Sequence, residues 1–356
     1  IQFQYVACLQ WLCQYKIFHL IPLNDPISYA SLATAANLPE YRLKAIIRMV
    51  MTNTLFTEEP DGKHIRHSAT SAFLARNDDA YAYATYMCAK SAPMAMHMAA
   101  AHERWGTDTT RTYETAYNLA FDTDLPFFDH LSRNENKMRE FARYMRSVRS
   151  SEGVDLKHLI AGFNWQDIVD SGVVVDVGGS TGGAAIALGK AFPHLNFVVQ
   201  DLPENADNGR EAAAQSSLPA DIASRLTFQA HDFTHPQPVQ GAEIYLLRMI
   251  LHDWPDAKAI KILQNIVAAM DRNKASSRLL IMDTVLPSPG SVPVSVERLI
   301  RVRDLTMFQA FNSKERDLED WRGLVAAVDP DLRLVGVIQP FGSAMSVLEL
   351  SLGSTE

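Results

Sequence analysis

His252 stands in the run LRMILHDWPD, where an apolar strand gives way to the start of a helix. An imidazole at such a place can serve as a helix cap or a core residue. It becomes a competent general base near neutral pH when a carboxylate orients it, and Asp283 and Glu315 lie downstream as acids able to do so. A second set of residues is suited to hold a ligand. Gly178, Gly179 and Gly182 follow Val173, Val174, Val175 and Asp176, and glycine lets a backbone turn tightly and lie against a bound group. Asp201 ends the next apolar strand, after Phe197, Val198 and Val199, where a carboxylate can accept ribose hydroxyls. The turn and the acid together describe a nucleoside pocket. A dinucleotide fingerprint would want glycine at 178, 180 and 183, but position 180 is Ser180. Asp232 with Phe233, Arg248, His252 with Asp253 and Trp254, and Asp283 each fall where a strand finishes or just beyond. Open α/β sheets bind ligands at that edge.

The elements that must carry these residues follow from periodicity. From Val173 onward, strands (LNFVVQD, RLTFQAHDF, EIYLLRMIL, RLLIMDTVL, LRLVGVIQ, SAMSVLELS) alternate with helices expected over 204–216, 256–270, 296–311 and 317–327. This order predicts a doubly wound, predominantly parallel sheet over 171–356. Residues 76–170 read as helical, with a bias to aromatics and methionine that includes Tyr86, Met94, Trp105, Phe127, Phe128 and Phe141. Such stripes usually pack a core, and some could line an apolar ligand cavity. Over 1–75 the pattern is helix, helix, helix, hairpin, with helices at 28–36 and 39–51 and strands at 54–57 and 64–67 around Asp61-Gly62. This is a winged helix-turn-helix. Glu58, Glu59 and Asp61 at the wing argue against DNA and for a scaffold or dimerisation role.

The chain has 356 residues, 47% hydrophobic and 21% charged, which is ordinary globular composition and enough for more than one domain. A formal net charge of −8 argues against a nucleic-acid partner, since neutralising phosphates takes a basic surface. No apolar run approaches the roughly 20 residues a membrane helix needs, and no secretory leader is evident, so a cytoplasmic protein is expected. The chain opens at Ile1 inside an amphipathic pattern, so preceding residues are expected to be missing. Cys8, Cys13 and Cys88 are odd in number and not at metal-ligand spacing, and are read as reduced, mostly buried thiols.

The markers DVGGSTG (176–182), FVVQDLP (197–203), HDF (231–233), LLRMILHDWPD (246–256) and NSKERDLEDW (312–321) resemble the S-adenosylmethionine (SAM)-dependent O-methyltransferases of the caffeate and flavonoid type, in particular their fungal secondary-metabolite branch. GGSTG is similar to the DxGxGxG donor loop of methyltransferases, with serine for the central glycine. The resemblance spans nearly the whole chain. It implies a Rossmann-like α/β methyltransferase domain behind an N-terminal winged-helix dimerisation domain that is all helical but for its wing, and a homodimer. It implies SAM as cofactor, with Gly178, Gly179 and Gly182 at the methionine portion, Asp201 at the ribose, Asp232 and Phe233 at the adenine, and Arg248 in contact with it. His252 would be the general base, flanked by Glu315 and by Asp283, the latter where plant members usually carry glutamate. No metal is required.

By the same resemblance the small-molecule acceptor is aromatic or polyketide-like. Its walls would come from Phe127 and Phe128, with Met249, Met307, Phe308, Phe311 and Asn312 opposite. Met345 is read as core. His130 and the pair Arg303-Asp304 lie near this cavity and read as structural. An alternative from the same branch is a pericyclase or dehydratase that keeps SAM bound without transferring methyl. His130, His252, Arg303 or Asp304 would then polarise a carbonyl or assist loss of water, with the sulfonium as an electrostatic fixture.

Overall fold

The computed structural model describes residues 1–215, 218–272, 274 and 276–353. The chain forms two compact units: Ile1–Asp108 with Tyr113–Ser150, and Thr109–Thr112 with Ser151 onward.

In the first unit, Ser28 caps the helix Tyr29–Ala36 by accepting the Ser31 N–H, and Asn37 ends it in the left-handed region. The helix Glu40–Met51 buries Leu43, Ile47 and Val50 along one face, the spacing that the sequence shows. The expected hairpin forms with shorter strands, β2 (Thr57–Glu58) and β3 (His64–Arg66), closed where the Asp61 carboxylate accepts the Lys63 and His64 N–H groups. Periodicity gave no sign of the third strand, β1 (Ile27–Ser28), which pairs antiparallel with β3 in the order β1-β3-β2, so the unit is not all helical apart from a hairpin. Beyond it come helices that include Gln2–Gln14 before the sheet, and Asp78–Tyr86, Phe127–Ser132 and Glu135–Arg149 after it.

The second unit is built on a seven-stranded sheet. Its strands are β4 (Val173–Val177), β5 (Asn196–Asp201), β6 (Leu226–Ala230), β7 (Ile244–Arg248), β8 (Arg278–Asp283), β11 (Leu332–Ile338) and β12 (Ser346–Leu352), in the order β11-β12-β8-β7-β4-β5-β6. Only β12 runs antiparallel to its neighbours. Ile244, Leu246, Leu280 and Met282 pack one face of the sheet with Leu188 and Trp165, while Tyr245, Leu247, Leu279 and Ile281 pack the other with Ile262, Leu263 and Trp321. Burial on both faces is why these strands read as unbroken apolar runs. Helices Pro203–Gln215, Asp256–Val267, Val294–Phe311 and Leu318–Val328 agree with the expected spans to within a few residues, Ser216, the expected end of one, lies outside the described residues, and a further helix, Gly183–Ala191, follows the glycine turn. A separate pair of two-residue strands, β9 (Val285–Leu286) and β10 (Arg316–Asp317), runs parallel. Chain order reverses between β4 and β7, and the crevice of such a sheet opens at the carboxyl ends of those two strands. Among the described residues no helix is long and apolar enough to cross a membrane.

Candidate active site

The glycine turn leaves β4 through left-handed backbone at Gly178 (φ 74°), Ser180 (φ 53°) and Gly182 (φ 79°). Gly178 and Gly179 donate their N–H groups to the Gln200 carbonyl at 2.8 and 3.0 Å, and Ser180 donates to Asp201 Oδ2 at 2.8 Å. A Cβ on Gly179 would stand 2.5 Å from Asp176 Oδ2, and one on Gly178 would stand 2.6 Å from the Ile250 side chain. Glycine is therefore required here by the packing of the turn against its neighbours as well as by φ. Ser180 takes the left-handed conformation with a side chain, which accounts for its standing in place of a glycine.

Asp201 accepts from Leu202 N and Asn205 Nδ2 at Oδ1, both at 2.8 Å, in addition to Ser180 at Oδ2. A carboxylate offers about four lone-pair sites, so one remains, on Oδ2. That leaves an acceptor position open for a ribose hydroxyl. Phe233 packs edge-on to Trp254, with ring centroids 5.7 Å apart, and its ring would meet a Cβ on Gly178 at 3.6 Å, so the aromatic expected at the adenine borders the turn. Asp232 accepts the Thr234 N–H and hydroxyl at 2.9 and 2.8 Å; burial opposes ionisation, but these donors and the nearby His235 and His231 hold its carboxyl below the usual range. Arg248 donates from Nη2 to the Val154 carbonyl. An open carboxylate oxygen, an aromatic ring and a glycine turn at the switch point form a donor set that fits SAM.

His252 lies in a single turn, Leu251–Asp253, just past β7. Its Nδ1 is 2.5 Å from Asp283 Oδ1, the last residue of β8, and its Nε2 is 3.5 Å from Asp253 Oδ1. Glu315 completes the group: His252, Asp283 and Glu315 each present an atom within 4.8 Å of the others. Such a trio could in principle hold a metal, but Nδ1 already faces a carboxylate at hydrogen-bonding distance, so the cluster is organised around a proton. The shorter Asp283 reaches the imidazole directly. Burial alone would lower the His252 pKa, but Asp283, Asp253 and Glu315 together push it up to about 10. Burial raises Glu315 to about 7 and Asp253 to about 6.

Two positioning residues are absent from the sequence reading. Arg316, 1% exposed, donates to the Leu251 and Trp254 carbonyls at 2.8 Å and to Asp256 Oδ1, clamping the turn that carries His252. Trp321 donates from Nε1 to the Thr284 carbonyl at 3.1 Å, beside Asp283. Their signal lay in the NSKERDLEDW run, where an arginine among charges reads as solvated. The β9–β10 register, Val285 opposite Arg316, sets Glu315 next to the segment that follows Asp283.

The residues expected at the acceptor divide between the units. Phe127, Phe128 and His130 belong to the first, where Phe127 is buried against Tyr117 and Phe141, Phe128 is partly exposed, and His130 bonds to Tyr117 and Lys137 at 2.7 and 2.6 Å. Met249, Arg303, Asp304, Met307, Phe308, Phe311 and Asn312 belong to the second. Met249 adopts a left-handed backbone (φ 58°) and packs on the sheet. Asp304 accepts the Glu315 N–H at 3.0 Å, Arg303 acts on Glu315 electrostatically, Asn312 caps its helix and donates to the Arg111 carbonyl, and Phe311 is buried. Met307 and Phe308 are half-buried on the same helix, and Met345 is in the core.

Known proteins place this geometry in context. Residues 97–328 match a family model described as an O-methyltransferase domain. The O-methyltransferase pgmB of Aspergillus terreus is 67% identical over 353 residues, spanning 99% of this chain and 98% of that protein. A solved structure of LepI in complex with SAM is similar at a TM-score of 0.77 and 27% identity, covering 98% of this chain and 86% of that one. A structure of a pericyclic reaction enzyme is similar at 0.77 and 28%, with the same coverage. Two thirds identity along essentially the whole length, together with the match of residues 97–328 to the domain model, makes this chain a member of the SAM-dependent O-methyltransferase family.

Proposed function

We propose that the protein methylates a hydroxyl of an aromatic or polyketide-like acceptor, with His252 as the group that takes the hydroxyl proton. The observation that carries this reading is the largely enclosed imidazole, 12% exposed, whose Nδ1 is fixed 2.5 Å from Asp283, leaving Nε2 as the working nitrogen. When bound, SAM supplies an electrophilic methyl on a sulfonium and departs as a neutral thioether. The glycine turn and Asp201 hold that donor, and Asp232 and Phe233 border its base. A phenol of pKa about 10 is mostly protonated at neutral pH, so an aligned base is needed as the methyl is attacked in line. Asp283 keeps the ring oriented and stabilises the imidazolium that forms, and Glu315 adds to that stabilisation.

The second reading, a SAM-retaining pericyclase or dehydratase, draws support from the likeness to a pericyclic reaction enzyme at 28% identity. The 67% identity to a protein named for methyl transfer outweighs it. Residues 1–75 are proposed as a winged-helix domain that dimerises, followed by a helical substrate-lining region to 170 and the donor domain from 171. A second copy of the chain is the proposed cover for the helix Gln2–Gln14, which packs Tyr5, Leu9 and Trp11 on its own core but leaves Phe3 67% exposed. The test of the chemistry is incubation with labelled SAM and a panel of phenolic and polyketide acceptors. Label should pass to at least one acceptor, and His252→Ala should lower kcat roughly 10²- to 10⁴-fold with SAM still bound. Undiminished turnover by the variant would remove His252 as the base.

A further inference from the structure

Both ring nitrogens of His252 face carboxylates: Asp283 Oδ1 lies 2.5 Å from Nδ1, and Asp253 Oδ1 lies 3.5 Å from Nε2. Only the Asp283 contact is a hydrogen bond, but both carboxylates are close enough for their charge to favour a ring protonated on each nitrogen. The other charged groups near it come from known elements. Glu315, one residue before β10, brings a third carboxylate, while Arg303 and Asp304 on the helix Val294–Phe311 act on Glu315 through charge and through its backbone N–H. Asp283 Oδ2 and Glu315 Oε2 are buried and find no hydrogen-bond donor among the described residues, so the charge of Asp283, and that of Glu315 once it ionises above about pH 7, bears on the imidazole. The donor-free site thus favours an imidazolium, consistent with the raised pKa.

A base in that form cannot accept a proton. The donor turn meets the His252 segment directly, Gly178 lying against Ile250, two residues before the imidazole. Binding SAM therefore adds a second positive charge to the same end of the sheet, and of the two charges only the proton can leave.

We propose that Asp253 is a further functional residue: with Asp283 it keeps His252 as an imidazolium in the donor-free protein, and SAM uptake expels the Nε2 proton to solvent, arming the base only when the methyl donor is present. This rests on the reading of His252 as proton acceptor. The charges balance through turnover. The imidazole is neutral while the sulfonium is bound; the acceptor oxygen then takes the methyl, its proton passes to Nε2, and the sulfur becomes neutral. The positive charge moves from sulfur to an imidazole held among three acids, the state that the site favours at rest.

The test is calorimetric titration of the full chain with SAM and with S-adenosylhomocysteine, whose sulfur is uncharged, in buffers of different ionisation enthalpy. At about pH 8, SAM binding should release about one proton, and S-adenosylhomocysteine almost none. Asp253→Asn should reduce the SAM-specific release by half or more, and His252→Gln should abolish it, with S-adenosylhomocysteine affinity and circular dichroism confirming that both variants fold. Equal release for the two ligands, or SAM-specific release undiminished in His252→Gln, would overturn the coupling; release unaltered in Asp253→Asn would overturn the role of Asp253. The turnover of His252→Ala is a separate measurement, so loss of the base assignment is distinguishable from loss of the coupling.

Discussion

Asp283 closes β8 with a side chain 1% exposed, and its Oδ1 accepts from both His252 and the Thr284 N–H. With the carboxylate already 2.5 Å from Nδ1, a longer acid must fold back or push the ring. Asp283→Glu, although it introduces the residue usual in plant members, should lower stability by about 1–3 kcal/mol, because a methylene added to a filled site forces its neighbours off their rotamers. It should also lower kcat/KM by turning the carboxylate away from Nδ1, and thermal unfolding with steady-state kinetics would read both effects. An unchanged melting temperature would mean that the site has slack. The same cluster makes stability depend on pH. His252 has a folded-state pKa raised from 6.5 to about 10, so its contribution is complete below about pH 6.5 and is lost as pH rises through 10. Donor-free protein should therefore lose stability between about pH 7 and pH 10, and His252→Gln should flatten that slope in denaturant titrations.

At the scale of elements, the site depends on connections too short to show periodicity. His252, Asp283 and the glycine turn were legible because each ends a long apolar strand, where a polar residue is conspicuous. Strands β9 and β10 have two residues each, and nothing in VL or RD distinguishes them from loop, although their pairing sets Glu315 beside Asp283. Arg316 was hidden for a related reason: an arginine in KER reads as surface until the fold buries it, and its partners are the backbone carbonyls of Leu251 and Trp254, which no sequence pattern reports. The short β1 escaped in the same way. Arg316→Lys tests the clamp, since an ammonium cannot span two carbonyls and the Asp256 carboxylate with a planar fork. Leaving buried carbonyls unpaired should cost about 3 kcal/mol or more, with kcat reduced because the His252 turn loses its anchor. SAM affinity should change little if Gly178, Gly179 and Asp201 remain in place. A variant with wild-type melting temperature and kcat would show that the clamp is dispensable.

At the scale of the whole molecule, acidic charge argues against a nucleic-acid partner without saying how many chains associate. A net charge of −8 keeps copies apart at long range, so association must be driven by apolar burial at short range. The first unit offers such surface. Phe3 on the helix Gln2–Gln14 is 67% exposed, whereas the apolar face of the helix Glu135–Arg149 is already part-covered within its own unit, Phe141 packing against Tyr86 and Phe127. The periodicity that identifies these helices cannot say whether a core or a second chain covers the apolar face, because both make the same demand on the sequence. Sedimentation velocity at micromolar concentration should give a species of about twice 39.7 kDa. Phe3→Glu should shift it toward the single-chain mass, because an interface that buries an introduced carboxylate without a partner must either desolvate or protonate it. The donor set lies wholly in the second unit, so S-adenosylhomocysteine binding by the variant should persist even if acceptor turnover falls. Wild-type protein sedimenting only as single chains would refute the dimer, and a variant that stays dimeric would move the interface away from the Gln2–Gln14 helix.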